Sequence, residues 1–138
     1  MNNDNIDVLI VDDQMGVRRL LFEALADEGY IVKMAGGGLE ALKILSGTQP
    51  SLVLLDMKMP GMNGIETLQE IRRLYGQLPV VMMTAYGDME IIDQTKSLGV
   101  KDYLSKPFDL EEVRVLVRAI LAESRNTGNF KPVSASTL

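Results

Sequence analysis

Cysteine and histidine are both missing from this sequence. Without cysteine there is no disulfide, no thiolate metal site and no Cys nucleophile, and a reducing compartment is allowed. Without histidine there is no Ser-His-Asp triad, no His-ligated zinc and no phosphohistidine carried by this chain. Positive charge is also short: 14 Lys and Arg stand against 19 Asp and Glu, a formal net charge of -5. That balance predicts no wholesale attraction to nucleic acid or to an anionic membrane, and no basic recognition helix stands out. No apolar run approaches the ~20 residues of a membrane span. The start, Met1-Asn2-Asn3-Asp4-Asn5, lacks the basic residues and apolar core of a secretory signal. A soluble, cytoplasmic protein is the expectation.

What remains is an ordinary globular composition. Over 138 residues, 46% are apolar, which predicts one domain with a real core. Three short apolar runs, Val8–Val11, Leu52–Leu55 and Val80–Met83, suit strands buried on both faces. Two weaker ones, Tyr30–Met34 and Asp102–Ser105, read as edge strands. Between them apolar residues recur at helical spacing: Val17, Leu20, Leu21, Ala24 and Leu25; Leu39, Leu42 and Leu45; Ile65, Leu68 and Ile71; Ile91, Ile92 and Leu98; Val113, Leu116, Val117, Ile120 and Leu121. Gly29, Gly47, Gly76 and Gly99 mark helix ends. Asp109 with Glu112 reads as a capping box on the last helix.

Strict strand–helix alternation predicts an α/β fold. It is a doubly wound, flavodoxin-like (βα)5 arrangement, with a five-stranded parallel sheet of order 2-1-3-4-5 and helices on both faces. Residues 1–122 form the domain. From 123 to 138 the apolar pattern fails, and a flexible polar tail is expected.

In such a sheet every strand ends on one rim, where ligands bind. Four strands end in polar residues there: Asp12-Asp13, Asp56, Thr84 and Lys106. Alone, each has a plain reading. Asp56 starts a turn, Asp12 or Asp13 caps a helix, Lys106 is a solvated lysine. Together they are harder to dismiss. Gathered carboxylates repel by about 4 kcal/mol per pair at ~4 Å and an effective dielectric near 20. Relief comes from raised pKa values or from a bound cation. Oxygen ligands without His or Cys call for a hard ion, Mg2+, with Mn2+ as a substitute. A carboxylate beside a metal, an ammonium and a hydroxyl is a receptacle for a phosphoryl group and a possible nucleophile toward it.

These residues resemble the receiver domain of bacterial two-component response regulators, over the chain up to Ala122. The resemblance implies that Asp56 takes a phosphoryl group from a phosphohistidine in a Mg2+-dependent reaction, catalysed by Asp56, Thr84 and Lys106. It implies metal ligation by Asp13, by Asp12 through water, by Asp56 and by the Lys58 carbonyl. It also implies a typically cis Lys106–Pro107 bond, and a switch in which Thr84 moves inward and Tyr103 turns in. Val11-Asp12-Asp13-Gln14, Leu55-Asp56-Met57-Lys58, Pro60-Gly61-Met62, Met83-Thr84-Ala85-Tyr86-Gly87 and Lys106-Pro107-Phe108-Asp109 are similar, more narrowly, to single-domain regulators of sporulation phosphorelays. The implied partners are a sensor histidine kinase and a histidine phosphotransferase, docking on Gln14, Met15, Val17, Arg18, Leu20, Tyr86, Pro107 and Phe108. The implied role is signalling rather than enzymatic: the domain catalyses its own phosphorylation and slow autodephosphorylation.

Four other readings compete. The tail is the start of a linker to an output domain. The chain is a Mg2+-dependent aspartyl phosphatase, which usually carries a second Asp two residues past the nucleophile, where Lys58 stands. It is a flavodoxin-like cofactor binder, whose FMN phosphate an acidic rim repels. Or Gly36-Gly37-Gly38-Leu39-Glu40-Ala41, which fits G-x-G-x-x-A, binds a dinucleotide; the plain alternative is a loop that starts a helix. Met57, Met59, Met62, Met82 and Met83 read as core filling.

Overall fold

A computed structural model describes residues 5–85 and 89–137; for Met89, Ile91 and residues 124–137 only the backbone is described. Five strands, β1 (Val8–Val11), β2 (Val32–Ala35), β3 (Leu52–Asp56), β4 (Val80–Ala85) and β5 (Asp102–Lys106), form one sheet in the order β2-β1-β3-β4-β5. All neighbouring pairs are parallel. The helices between and after them are α1 (Met15–Ala26), α2 (Gly38–Leu45), α3 (Gly64–Leu74), α4 (Met89–Lys96) and α5 (Leu110–Thr137). The expected order is the observed one.

Alternation along the strands divides the interior in two. Leu9, Val11, Val53, Leu55, Val80 and Met82 face α2 and α3, through Ala41, Leu45, Leu68 and Ile71. Val8, Ile10, Leu52, Leu54, Val81 and Met83 face α1 and α5, through Leu21, Leu25, Val113, Val117 and Ile120. Each such Val or Leu contributes roughly 1.5–3 kcal/mol on full burial. This explains why the three central runs show no alternation in sequence: both faces are covered. Met57, Met59, Met82 and Met83 are buried, as expected of gap fillers.

Boundaries differ from expectation where hydrogen bonding overrides the apolar pattern. Tyr30 closes α1, its N–H donating to Leu25 O at 3.4 Å, so β2 starts at Val32. The reciprocal capping box lies on α3, where Asn63 Oδ1 accepts from Glu66 N at 2.9 Å and Glu66 Oε1 from Asn63 N at 3.0 Å. At α5, Asp109 Oδ1 accepts instead from Glu111 N at 3.0 Å, one residue short of that geometry. The backbone of α5 runs on to Thr137; among the residues whose side chains are described, its last buried one is Leu121. The regular apolar pattern of the sequence stops at Leu121, but the helical backbone continues, through Gly128 and Pro132. The side chains of the expected tail, residues 124–138, lie outside the described residues.

The rim opposite the strand ends is tied by Arg72. Its guanidinium donates to four backbone carbonyls: Leu98 at 2.6 Å, Leu78 at 2.8 Å, Gly99 at 3.1 Å and Tyr75 at 3.2 Å. It joins α3, the entry to β4 and the turn after α4. Gly99, at φ +70°, makes that turn. Among the described residues no helix is long and apolar enough to cross a membrane.

Candidate phosphoacceptor site

Register delivers the polar residues to one rim. Val11 pairs with both Ala35 and Leu55, so Asp12 and Asp56 each lie one residue beyond that level. Asp56 pairs with Met83, placing Thr84 next along β4, and Ala85 pairs with Lys106. Carboxylate oxygens of Asp12, Asp13 and Asp56 lie within 4.8 Å of one another. Asp12 is fully buried and Asp56 nearly so, while Asp13 is exposed. A cleft of about 210 Å³ opens over them, lined by Asp13, Gln14, Asp56, Lys58, Ala85 and Lys106 among others.

Lys106 is the internal counter-charge. Its Nζ lies 2.8 Å from Asp12 Oδ2 and 3.2 Å from Asp56 Oδ1. Burial alone pulls the ammonium down, but the hydrogen bond to Asp12 and the charges of Asp56 and Asp12 outweigh it, and its pKa ends above the ordinary value. Asp56 also rises, away from a free carboxylate. Burial, then the charge on Asp12, pushes it up to about 6, with Lys106 opposing. Both remedies for crowded carboxylates are therefore present, a raised pKa and a cation, the latter supplied by a side chain. Asp12 does not cap α1, whose N-cap is Gln14 without a side-chain bond, but its Oδ1 accepts from Gln14 N at 2.9 Å and fixes the turn into the helix.

The donor set fits a hard divalent cation: carboxylate oxygens from the ends of β1 and β3, one carboxylate solvent-facing, with the Lys58 segment beside them. Lys58 itself is exposed. Thr84 is buried, and its hydroxyl donates a long bond, 3.5 Å, to Leu104 O; it is not among the residues lining the cleft. Tyr103 is half-buried, its hydroxyl 2.7 Å from Thr95 Oγ1 and 3.4 Å from Ile92 O. The Lys106–Pro107 bond is cis.

A model of the response regulator receiver domain matches residues 8–118. The chain belongs to that family. This receiver domain is 45% identical over 122 residues to the sporulation initiation phosphotransferase F of Bacillus subtilis, covering 88% of this chain and 98% of that one. It is 40% identical over 114 residues to the regulatory protein AtoC of Escherichia coli, covering 83% of this chain but only 25% of that protein. The solved chemotaxis protein CheY4 of Vibrio cholerae superposes with a TM-score of 0.78 at 29% identity, over 85% of this chain and 99% of that one. The receiver thus spans nearly all of one relative and a quarter of another.

The remaining expected residues separate by exposure. Met15 (61%) and Leu20 (50%) present apolar surface, and Gln14 and Pro107 are exposed. Val17 and Phe108 pack against the α1–α5 side of the core. Arg18 is half-buried and turned to the backbone, with Nη1 on Asp12 O at 2.6 Å. Tyr86 lies outside the described residues. The Gly-rich loop is packing: a Cβ on Gly38 would collide with Thr67 Oγ1 and press on Met62, so Gly38 lets α2 lie close to α3. Sequence reasoning missed Gly64, where a Cβ would lie 2.5 Å from Asp56 O and 2.7 Å from Met57 Cα. It also passed over Ala85, which lies at the end of β4 and lines the cleft. Only the Pro60-Gly61-Met62-Asn63-Gly64 run, dense in turn formers, hinted at the close approach.

Proposed function

We propose that this receiver domain accepts a phosphoryl group on Asp56 and serves as an intermediate in a phosphorelay of the sporulation type. The observation that carries it is the meeting of one nucleophilic carboxylate with two acidic residues and one ammonium at a single strand-end cleft. A 45% identical relative of nearly equal length, named a sporulation initiation phosphotransferase, supports the relay role.

Asp13, Asp56 and the Lys58 carbonyl would hold Mg2+, with Asp12 acting through water and Mn2+ as a substitute. When bound, the ion supplies positive charge against the carboxylates and the phosphoryl oxygens. The side chains do the rest. An ionised Asp56 oxygen attacks phosphorus in line as the phosphorus–nitrogen bond to the donor imidazole breaks. Lys106 exchanges its carboxylate partner for a phosphoryl oxygen. Thr84, whose present bond is long, turns its hydroxyl to another. Tyr103 leaves Thr95, and α4 shifts population between two arrangements. The domain promotes its own phosphorylation and slow dephosphorylation and turns over no separate substrate. Its partners are a sensor histidine kinase and a histidine phosphotransferase, without nucleic acid or membrane, in the cytoplasm. Residues 1–122 form the receiver, and 123–138 are a polar tail beyond it.

Asp56→Asn should abolish labelling by a radiolabelled phosphohistidine donor. Label on that variant at the wild-type level would overturn the assignment. Return of label from Asp56 to a histidine phosphotransferase would distinguish a relay intermediate from a terminal regulator.

A further inference from the structure

Two peptide planes meet at Asp12, and each is held from outside β1. The preceding plane donates Asp12 N–H to Ala35 O at 3.2 Å. The following plane presents the Asp12 carbonyl, which accepts from Arg18 Nη1 at 2.6 Å. That carbonyl belongs to the same rigid unit as the Asp13 amide. The Asp12 side chain is fixed independently, by Gln14 N on Oδ1 at 2.9 Å and by Lys106 Nζ on Oδ2 at 2.8 Å. Asp13 is exposed, so packing does little to orient its carboxylate, and the peptide before it sets where its side chain starts. Room for the guanidinium comes from Gly36, where a Cβ would lie 3.3 Å from Nη1. Gly36 is itself held in place, its N–H donating to Glu40 Oε1 at 2.8 Å.

We propose that Arg18 is a positioning residue for the acidic pair. Its charged hydrogen bond sets the Asp12–Asp13 peptide, and so aims Asp13 into the cleft. Its positive charge by itself opposes a divalent cation, so a fall in cation affinity on its removal reads the geometry and not the charge. The inference rests on the phosphoacceptor reading. It gives Arg18 a task that the expected docking role does not include, since a docking residue acts only when a protein partner is present.

A small donor separates the two. The full chain is compared as wild type, Arg18→Gln, Arg18→Lys and Arg19→Gln, the last removing an exposed charge from the neighbouring position on α1. Binding of Mn2+ is followed by the resonance of the free ion, and labelling of Asp56 by acetyl phosphate over a range of Mg2+. In Arg18→Gln, Mn2+ affinity should fall about tenfold, the lower end for outer partners of metal ligands. Labelling should fall at limiting Mg2+ and recover at saturation. Arg18→Lys, which keeps the charge without the planar fork, should fall between, and Arg19→Gln should match wild type. Wild-type affinity and labelling in Arg18→Gln, with transfer from a protein donor reduced, would overturn the proposal and leave Arg18 as a docking residue. Should Arg18→Gln not fold by thermal melting, Arg18→Lys decides: reduced affinity supports the proposal and wild-type affinity overturns it. Should the wild type bind Mn2+ yet take no label at Asp56, the phosphoacceptor reading fails, and the Mn2+ comparison still decides the role of Arg18.

Discussion

Asp56 is under two opposing demands. A nucleophile must be ionised, yet burial and the Asp12 charge push this carboxyl from its ordinary 3.8 up to about 6. Between those values the folded protein keeps a proton that the unfolded chain has released. The contribution of this group to stability is therefore full below pH 3.8 and lost as pH rises through about 6. In the absence of divalent cations, Asp56→Asn should gain stability relative to wild type as pH is raised from about 5 to 7.5, read from urea midpoints; a pH-independent difference would contradict the burial argument. Lys106 restrains the shift, so Lys106→Met should move Asp56 titration further up, visible in carbon-13 NMR of its carboxyl. Asp12, Asp13 and Asp56 were legible in the sequence because they follow unbroken apolar runs, and Lys106 because it ends a weaker strand before a proline; a parallel sheet can only bring such ends together. That Lys106 is shared between Asp12 and Asp56 was not legible, since it depends on side-chain reach across the sheet from β5.

At the scale of elements, the central strands were read well because burial on both faces leaves a continuous apolar run that local hydrogen bonding does not alter. The ends of β2 and α5 were read less well. There the boundary is set by a turn closing on Leu25, and by a helical backbone that runs on past Leu121, where the regular apolar pattern of the sequence stops. The α3 cap went unread because Asn63 is two residues past Pro60-Gly61 and looked like more of the same loop. Two substitutions test what these contacts contribute. Gly64→Ala places a methyl against the backbone of Asp56 and Met57, which cannot yield as a side-chain tip does. It should cost about 1–3 kcal/mol and loosen the acceptor loop, measured by denaturant unfolding and by weakened Mg2+ binding. Arg72→Ala strips four carbonyls of their donor and should cost about 2–3 kcal/mol, with faster amide exchange in the turn around Gly99. A variant as stable as wild type would show that water replaces the guanidinium at no cost.

For the whole molecule, the acidic rim couples the fold to its ions. A cation that binds only the folded state stabilises it by about 2.7 kcal/mol at a hundred times its dissociation constant. Mg2+ should therefore raise the melting temperature of wild type, and should do so far less for Asp13→Asn; an equal rise in both would place the ion elsewhere. The two rims of the sheet also differ in how they are held. At the strand ends the contacts are exchangeable, with one ammonium between two acids and a threonine hydroxyl on a long bond. At the opposite rim Arg72 fastens Leu98 and Gly99, just beyond the carboxyl end of α4. Any displacement of α4 that keeps those bonds is a swing about a fulcrum at Gly99. Travel is then smallest beside Lys96 and largest beside Met89, so a small shift at the strand-end rim would be read out as lever motion at one end of a single helix.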